Sequence, residues 1–284
     1  MGDIDDPIGP PATGPSCPGA CHSVLGVVAG DAPGLLDRAS LTGSAITGDW
    51  YVAHSDIDMV FVVARPVTAV DEAGLSKAHA ATRGRNCVDG VYLTEDQLEV
   101  GPSGITSAPQ VIGGAFTLDR PGGQLNGVTW LELSRAPVAR VDNDGTVSWH
   151  DLQPLSTDPV PAAAAYSREN LGTYWTGVVD QWQAALDSGE LTDERVDTDS
   201  VVWTVLGPAR LIVTIETGVV VSKTASGQFA AQRWPQHSRL VERAMRSRAG
   251  GQETFDVEDV RAVISLGRLV VEAGRSAVTV TDRG

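Results

Sequence analysis

The sequence predicts an α+β protein, a mixed α/β half followed by an all-helical half. Three observations carry that reading. The run Met59–Ala64 is six apolar residues ahead of Arg65-Pro66, which reads as a strand buried on both faces at the centre of a sheet. After Gln153-Pro154 the apolar spacing turns helical and stays so. The composition, 42% hydrophobic and 20% charged over 284 residues, is that of a globular chain with a sizeable core. The expected organisation is a disordered Gly/Pro/Asp-rich leader over 1–21, a first domain over 22–155 and a helical domain over 156–284.

Each element has its own signal. A short helix is expected from His22 to about Gly30, then a strand near Ala39–Ile46, a glycine turn, and the strong strand from Ile57 to Ala64. Residues 69–83 suit a helix and Val88–Leu93 a strand. The Gly- and Pro-rich stretch 100–127 reads as a long irregular connection, followed by a helix near Val128–Arg135 and a strand at Val138–Val141. In the second half Ser167 is a candidate N-cap for a helix from Arg168 to about Leu186, and Asp197 or Asp199 for the next. Gly207-Pro208 should kink or restart that helix, and Gly218 should end it. Ser222 caps a helix over Lys223–Arg233 that stops before Pro235. Two more follow, over Ser238–Arg248 and Val257–Ala273.

Formal charge is −15, with 36 acids against 21 bases. Neither half has a basic excess, which argues against nucleic acid as a partner, because phosphate neutralisation needs clustered Lys and Arg. An acidic surface concentrates small cations instead. No apolar run approaches the ~20 residues of a membrane helix. No secretory signal is apparent, so a cytoplasmic, soluble protein is expected. Three cysteines cannot make a disulfide framework, and Cys17-Pro-Gly-Ala-Cys21-His22 lacks the second ligand pair a zinc site needs. Arg239, Arg243 and Arg246 share a helix face and read as solvated surface.

The chemistry concentrates in Leu41-Thr-Gly43-Ser44 and, a dozen residues on, Ser55-Asp56-Ile-Asp58 running into the apolar strand. Asp56 and Asp58 are two apart at a strand start, so both carboxylates project from one face. Like charges held that close repel unless a cation sits between them. Carboxylate oxygens suit Mg²⁺, which is commonly held by one or two acids together with substrate phosphates. The small Gly43-Ser44 turn offers amides and a hydroxyl to phosphate oxygens.

This conjunction resembles the nucleotidyltransferase signature of the DNA polymerase β superfamily. The resemblance implies Mg²⁺ on Asp56 and Asp58, an ATP co-substrate contacted by Gly43, Ser44 and Ser55, and a third carboxylate on a following strand that activates the acceptor hydroxyl. Asp89, in Cys87-Val-Asp89-Gly-Val-Tyr-Leu93, stands at that place as catalytic and metal-binding residue, with Glu95 as fallback. Relatives usually carry Glu there, and Asp is one methylene shorter. The stretch from Arg210 to Thr217-Gly218, then Ser222-Lys223-Thr-Ala and on to Trp234-Pro235, is similar to the C-terminal domain of the aminoglycoside 3″/9-adenylyltransferases. That likeness implies that Arg210 and Lys223 reach the nucleotide phosphates. Lys223 in a first helical turn is unfavourable for the helix dipole unless an anion is shared there.

For the acceptor, aromatic faces and carboxylates suit a protonated amino or guanidino sugar. Trp130, Trp175, Asp180, Trp182 and Asp199 are the candidates, although the aromatic positions do not map one for one onto the resistance enzymes. The implied reaction is Mg²⁺-dependent transfer of AMP from ATP to a hydroxyl of a small cationic acceptor, such as streptomycin or spectinomycin. The alternatives are the same chemistry on another small-molecule or protein hydroxyl, and a catalytically silent nucleotide-binding or antitoxin-like module.

Overall fold

The computed structural model describes residues 19–51, 55–82, 87–142, 146–151, 154–189 and 191–279. The first domain is a seven-stranded mixed sheet of order β5-β4-β3-β2-β1-β6-β7. The strands are β1 (Leu36–Thr42), β2 (Ile57–Val63), β3 (Val88–Thr94), β4 (Ala108–Ile112), β5 (Ala115–Arg120), β6 (Val138–Val141) and β7 (Val147–His150). The β2–β3 pair is parallel and the other pairs are antiparallel. The expected central strand is therefore central, flanked by β1 and β3.

Alternation along β2 divides its side chains between the two faces. Ile57, Met59, Phe61 and Val63 pack with helices α1 (Gly19–Asp31) and α2 (Ala69–Ala80) on one face. Val60 and Val62 join Val91, Leu93 and Trp130 on the other, where α3 (Glu95–Val100) and α4 (Gly127–Leu133) lie. Period-two logic then puts Asp56, Asp58 and Asp89 on the α4 side of the sheet. In the first face His79 is sandwiched between the Val88 carbonyl and the Tyr92 hydroxyl, at 3.0 and 2.7 Å. A carbonyl only accepts, so Nδ1 carries the proton and Nε2 accepts from the tyrosine; burial lowers the pKa of this histidine to about 4.

Several boundaries differ from expectation. The leader is helical from Gly19, two residues before its expected end, and the remainder of it lies outside the described residues. Cys21 is disulfide-bonded, which removes its thiol from any metal site. The stretch 100–127 is not simply irregular: it contains the β4–β5 hairpin, turned by Gly113 and Gly114 at φ +60° and +70°, a signal hidden by the surrounding glycines and prolines. β7 was also unanticipated.

The helical domain runs through α5 (Val160–Asn170), a π-helical turn at Leu171–Trp175, α6 (Thr176–Asp187), α7 (Thr198–Leu206), α8 (Ala209–Thr217), α9 (Lys223–Arg233), α10 (Ser238–Arg248) and α11 (Val257–Ser276). Ser167 is no cap: it is buried inside α5, whose start is set by Pro159 and Pro161. The other caps stand as expected. Asp197 accepts from the Ser200 amide, Ser222 accepts from the Ala225 amide, and Gly218 closes α8 at φ +67°. The core of this domain includes Trp175, Ile212, Val241 and Val263. Its α5 crosses α4 so closely that a Cβ on Gly127 would lie 2.2 Å from the Ala162 carbonyl oxygen, and this crossing docks the helices over the open end of the sheet. Among the described residues no helix is long and apolar enough to cross a membrane.

Candidate active site

The ends of three adjacent strands build the floor. Thr42 pairs with Asp58 across β1–β2, and Asp58 pairs with Asp89 across β2–β3, so two of the predicted acids stand side by side with the Gly43-Ser44 turn next to them. Gly43 has φ +62°, and a Cβ there would lie 2.3 Å from an Asp58 carboxylate oxygen. Both the left-handed backbone and the close approach require glycine.

Asp58 is short of compensating charge. Burial first, then the charges of Asp56, Glu132 and Asp89, push its pKa up to about 8, with Lys223 pulling the other way. Its oxygen Oδ1 accepts 3.1 Å from the Gln124 amide nitrogen. Asp56 is exposed at the mouth. Asp89 is 9% exposed and turned to the hairpin, accepting from the Gly113 and Gly114 amides at 2.9 and 3.3 Å. Among the described residues no three acidic, histidine or cysteine side chains converge to hold a metal ion. The two aspartates of the Asp-x-Asp pair are the hard oxygen donors that remain, to be completed by substrate phosphate.

Sequence reasoning missed Glu132. It is 7% exposed on α4, accepts 3.1 Å from the Gly43 amide, and has its pKa raised to about 7 by burial, offset by that hydrogen bond and by Arg210. The signal was an acid inside the apolar run Val128-Thr-Trp-Leu-Glu-Leu. Gln124 was missed as well, and no pattern marks it. Its nitrogen reaches Asp58 while its oxygen, also buried, has no partner among the described residues. Buried Gln110 holds its loop by donating to the Arg120 and Gly122 carbonyls and accepting from the Gln124 amide.

From the helical domain, Arg210 faces Glu132 and Asp58, and Lys223 lies in the field of Asp56 and Asp58 beside Arg210 and Arg248. Burial, with those two arginines, lowers the Lys223 pKa to about 8. The two predicted cations therefore do meet the predicted acids across the domain boundary. Ser44 sits in the short 3₁₀ turn 43–45, where its carbonyl accepts from the Asp49 amide. Ser55 is buried and its hydroxyl accepts from the Tyr51 amide; this places it in the loop that carries Asp56.

The acceptor candidates separate. Trp175 lines the interdomain cleft with Asp58, Glu132 and Arg210, and its ring stands 4.5 Å from Trp203, centroid to centroid. Tyr166, Tyr174 and Trp203 line the same cleft. Trp130 does not: it is 2% exposed in the sheet core and donates to the Leu98 carbonyl. Trp182 donates to the Thr204 hydroxyl in a groove on the outer side of Tyr174 and Trp203. Asp180 and Asp199 are exposed and do not line the cleft. Glu95 lies at the far end of β3, paired with Arg38, and is no substitute for Asp89.

Two comparisons with known proteins found a likeness. Residues 163–272 match the family model described as aminoglycoside adenylyltransferase, C-terminal domain. The spectinomycin adenyltransferase AAD(9) from Enterococcus faecialis, solved with ATP and spectinomycin, superposes with a TM-score of 0.60 at 15% identity, over 89% of this chain and 98% of that one. That likeness is one of fold. No curated protein matches the chain by sequence.

Proposed function

We propose that this chain, an aminoglycoside adenylyltransferase-like nucleotidyltransferase, transfers AMP from ATP to a hydroxyl of a small cationic acceptor of the aminoglycoside or aminocyclitol class, with pyrophosphate released. The single observation that carries this reading is the meeting of Asp56 and Asp58 with Lys223 and Arg210 across the domain cleft. Two acids and two cations from separate domains suit a metal–triphosphate, which needs both signs of charge around it.

Asp56 and Asp58 would hold Mg²⁺, and the raised pKa of Asp58 fits a carboxylate whose counter-charge arrives with the ligand. Bound there, the ion would polarise the transferring phosphoryl group and offset charge on the leaving phosphates. Gly43, Ser44 and Ser55 shape the turn and loop beside those phosphates, and Lys223 and Arg210 neutralise them from the other domain. Asp89 is the proposed base, its carboxylate oriented by the two hairpin amides. Positioning and electrostatics supply most of the rate. The acceptor would lie against Trp175, Tyr174 and Trp203, where ring faces and the Glu132 carboxylate favour a protonated amine.

The test is pyrophosphate release and mass-spectrometric detection of an AMP adduct from ATP, Mg²⁺ and a panel including streptomycin and spectinomycin. The expected result is turnover with at least one of these drugs, lost in Asp56→Asn. ATP binding without turnover on any member of the panel overturns the drug-acceptor reading in favour of a silent nucleotide-binding module.

A further inference from the structure

We propose that Asp49, Thr224 and Arg248 form a clamp between the two domains that positions Lys223 over the Asp56–Asp58 pair. The inference rests on the adenylyltransferase reading, and it assigns a role to three residues outside the reacting centre.

Asp49 lies in the loop between the Gly43-Ser44 turn and β2. It is 5% exposed, as is Arg248 at the end of α10. Its Oδ1 accepts from the Thr224 hydroxyl at 2.6 Å, and its Oδ2 accepts from the Thr224 amide and from Arg248 Nε, both at 3.1 Å. Arg248 Nη2 donates 2.7 Å to the Asp49 carbonyl, and the guanidinium stands 5.3 Å over the Tyr51 ring. Every donor that meets the carboxylate comes from the helical domain, and every acceptor belongs to the catalytic one.

Two features make this more than an interdomain bond. Thr224 is the residue after Lys223, so fixing its amide and hydroxyl fixes the backbone from which the lysine projects. The same loop is tied to both other parts of the site. The Asp49 amide donates to the Ser44 carbonyl at 3.2 Å, and Trp50 Nε1 donates to the Asp56 carbonyl at 3.0 Å. The Tyr51–Ser55 pair closes the loop through bonds of 2.8 and 3.1 Å. The described residues of this loop therefore tie together the Gly-Ser turn, the Asp-x-Asp pair and the helix that carries the lysine. A carboxylate at the start of α9 also offsets the unfavourable lysine in that first turn.

The experiment is calorimetric binding of Mg²⁺ and a non-hydrolysable ATP analogue, which needs no acceptor. Thr224→Val should weaken binding about tenfold, the factor of roughly one net hydrogen bond, and lower the melting temperature as the Asp49 carboxylate loses a partner, and Thr224→Ser should restore both. Added to Lys223→Ala, Thr224→Val should cost nothing further, since its effect runs through the lysine. Unchanged affinity in Thr224→Val, or the same tenfold loss in the Lys223→Ala background, overturns the clamp while leaving the functional reading intact. A wild-type protein that does not bind the analogue overturns both. Should Thr224→Val not fold, Arg248→Lys, which keeps the charge and loses the fork, reports the same coupling.

Discussion

Two aspartates nine residues apart, the buried Asp49 and the half-buried Asp58 that lines the cleft, meet opposite fates. Asp49 is matched by an arginine, a hydroxyl and an amide from the other domain. Asp58 faces Asp56, Glu132 and Asp89 and has a glutamine amide on one oxygen. A buried charge that is paired holds a structure in register, and one that is left among like charges costs stability until a ligand answers it. The first aspartate belongs to the architecture. The second is the acid that a cation would answer under the proposed function.

That contrast can be broken at either end. The largest effect is expected at the unmatched acid. Asp58→Asn should lower AMP transfer by about 10³-fold, the scale of losing a principal electrostatic contact in a reaction of this kind, yet raise the melting temperature of the ligand-free protein by removing a strained charge. Activity loss accompanied by destabilisation would contradict the contrast. At the matched acid the sign reverses. Asp49→Ala strands the Arg248 guanidinium and should cost about 3–5 kcal/mol of stability by urea unfolding; a loss below ~1 kcal/mol would mean that the pair is incidental.

The smallest effect sharpens the comparison through pH. Asp58 and Glu132 have folded pKa values of about 8 and about 7, raised above their ordinary carboxylate values, so the folded state binds more protons than the unfolded one between those limits. Their contribution to stability is complete at low pH and disappears as pH rises through about 7 and about 8. Ligand-free protein should therefore lose stability steadily between pH 5 and 8, and Glu132→Gln with Asp58→Asn should flatten the curve. Lys223, lowered to about 8, opposes this trend only above that pH, which keeps the window readable. A flat wild-type curve from pH 5 to 8 would remove the claim that these acids are held neutral.

Much of this site is legible in the one-dimensional pattern. Gly43, Asp56 and Asp58 are near in sequence, and the alternation of a single strand decides which way the acids point. Ser222 and Gly218 announce helix ends through local backbone chemistry, so Lys223 at a helix start is readable as well. Trp130 and Trp175 are not distinguishable in that way. Both are tryptophans in apolar helical stretches, and only the packing of α4 against the sheet and of the π-helical turn against α7 sends one to the core and the other to the cleft. Asp180 and Asp199 fail for the same reason, since nothing local to either helix tells which of its faces the fold turns toward the cleft and which toward solvent.

By itself the sequence determined the succession of sheet and helices, the central strand, the helix ends at Asp197, Gly218 and Ser222 and the adjacency of the two carboxylates, because each depends on neighbours within a few residues. The tertiary structure alone decided that Asp89 turns to a hairpin's amides, that Glu132 and Gln124 enter the site, and that Asp49 receives Arg248 from 199 residues away. Contacts of that kind carry no local signature. They exist only once segments far apart in the chain have packed together and the cost of burying each polar group has been met by whatever the fold brings opposite.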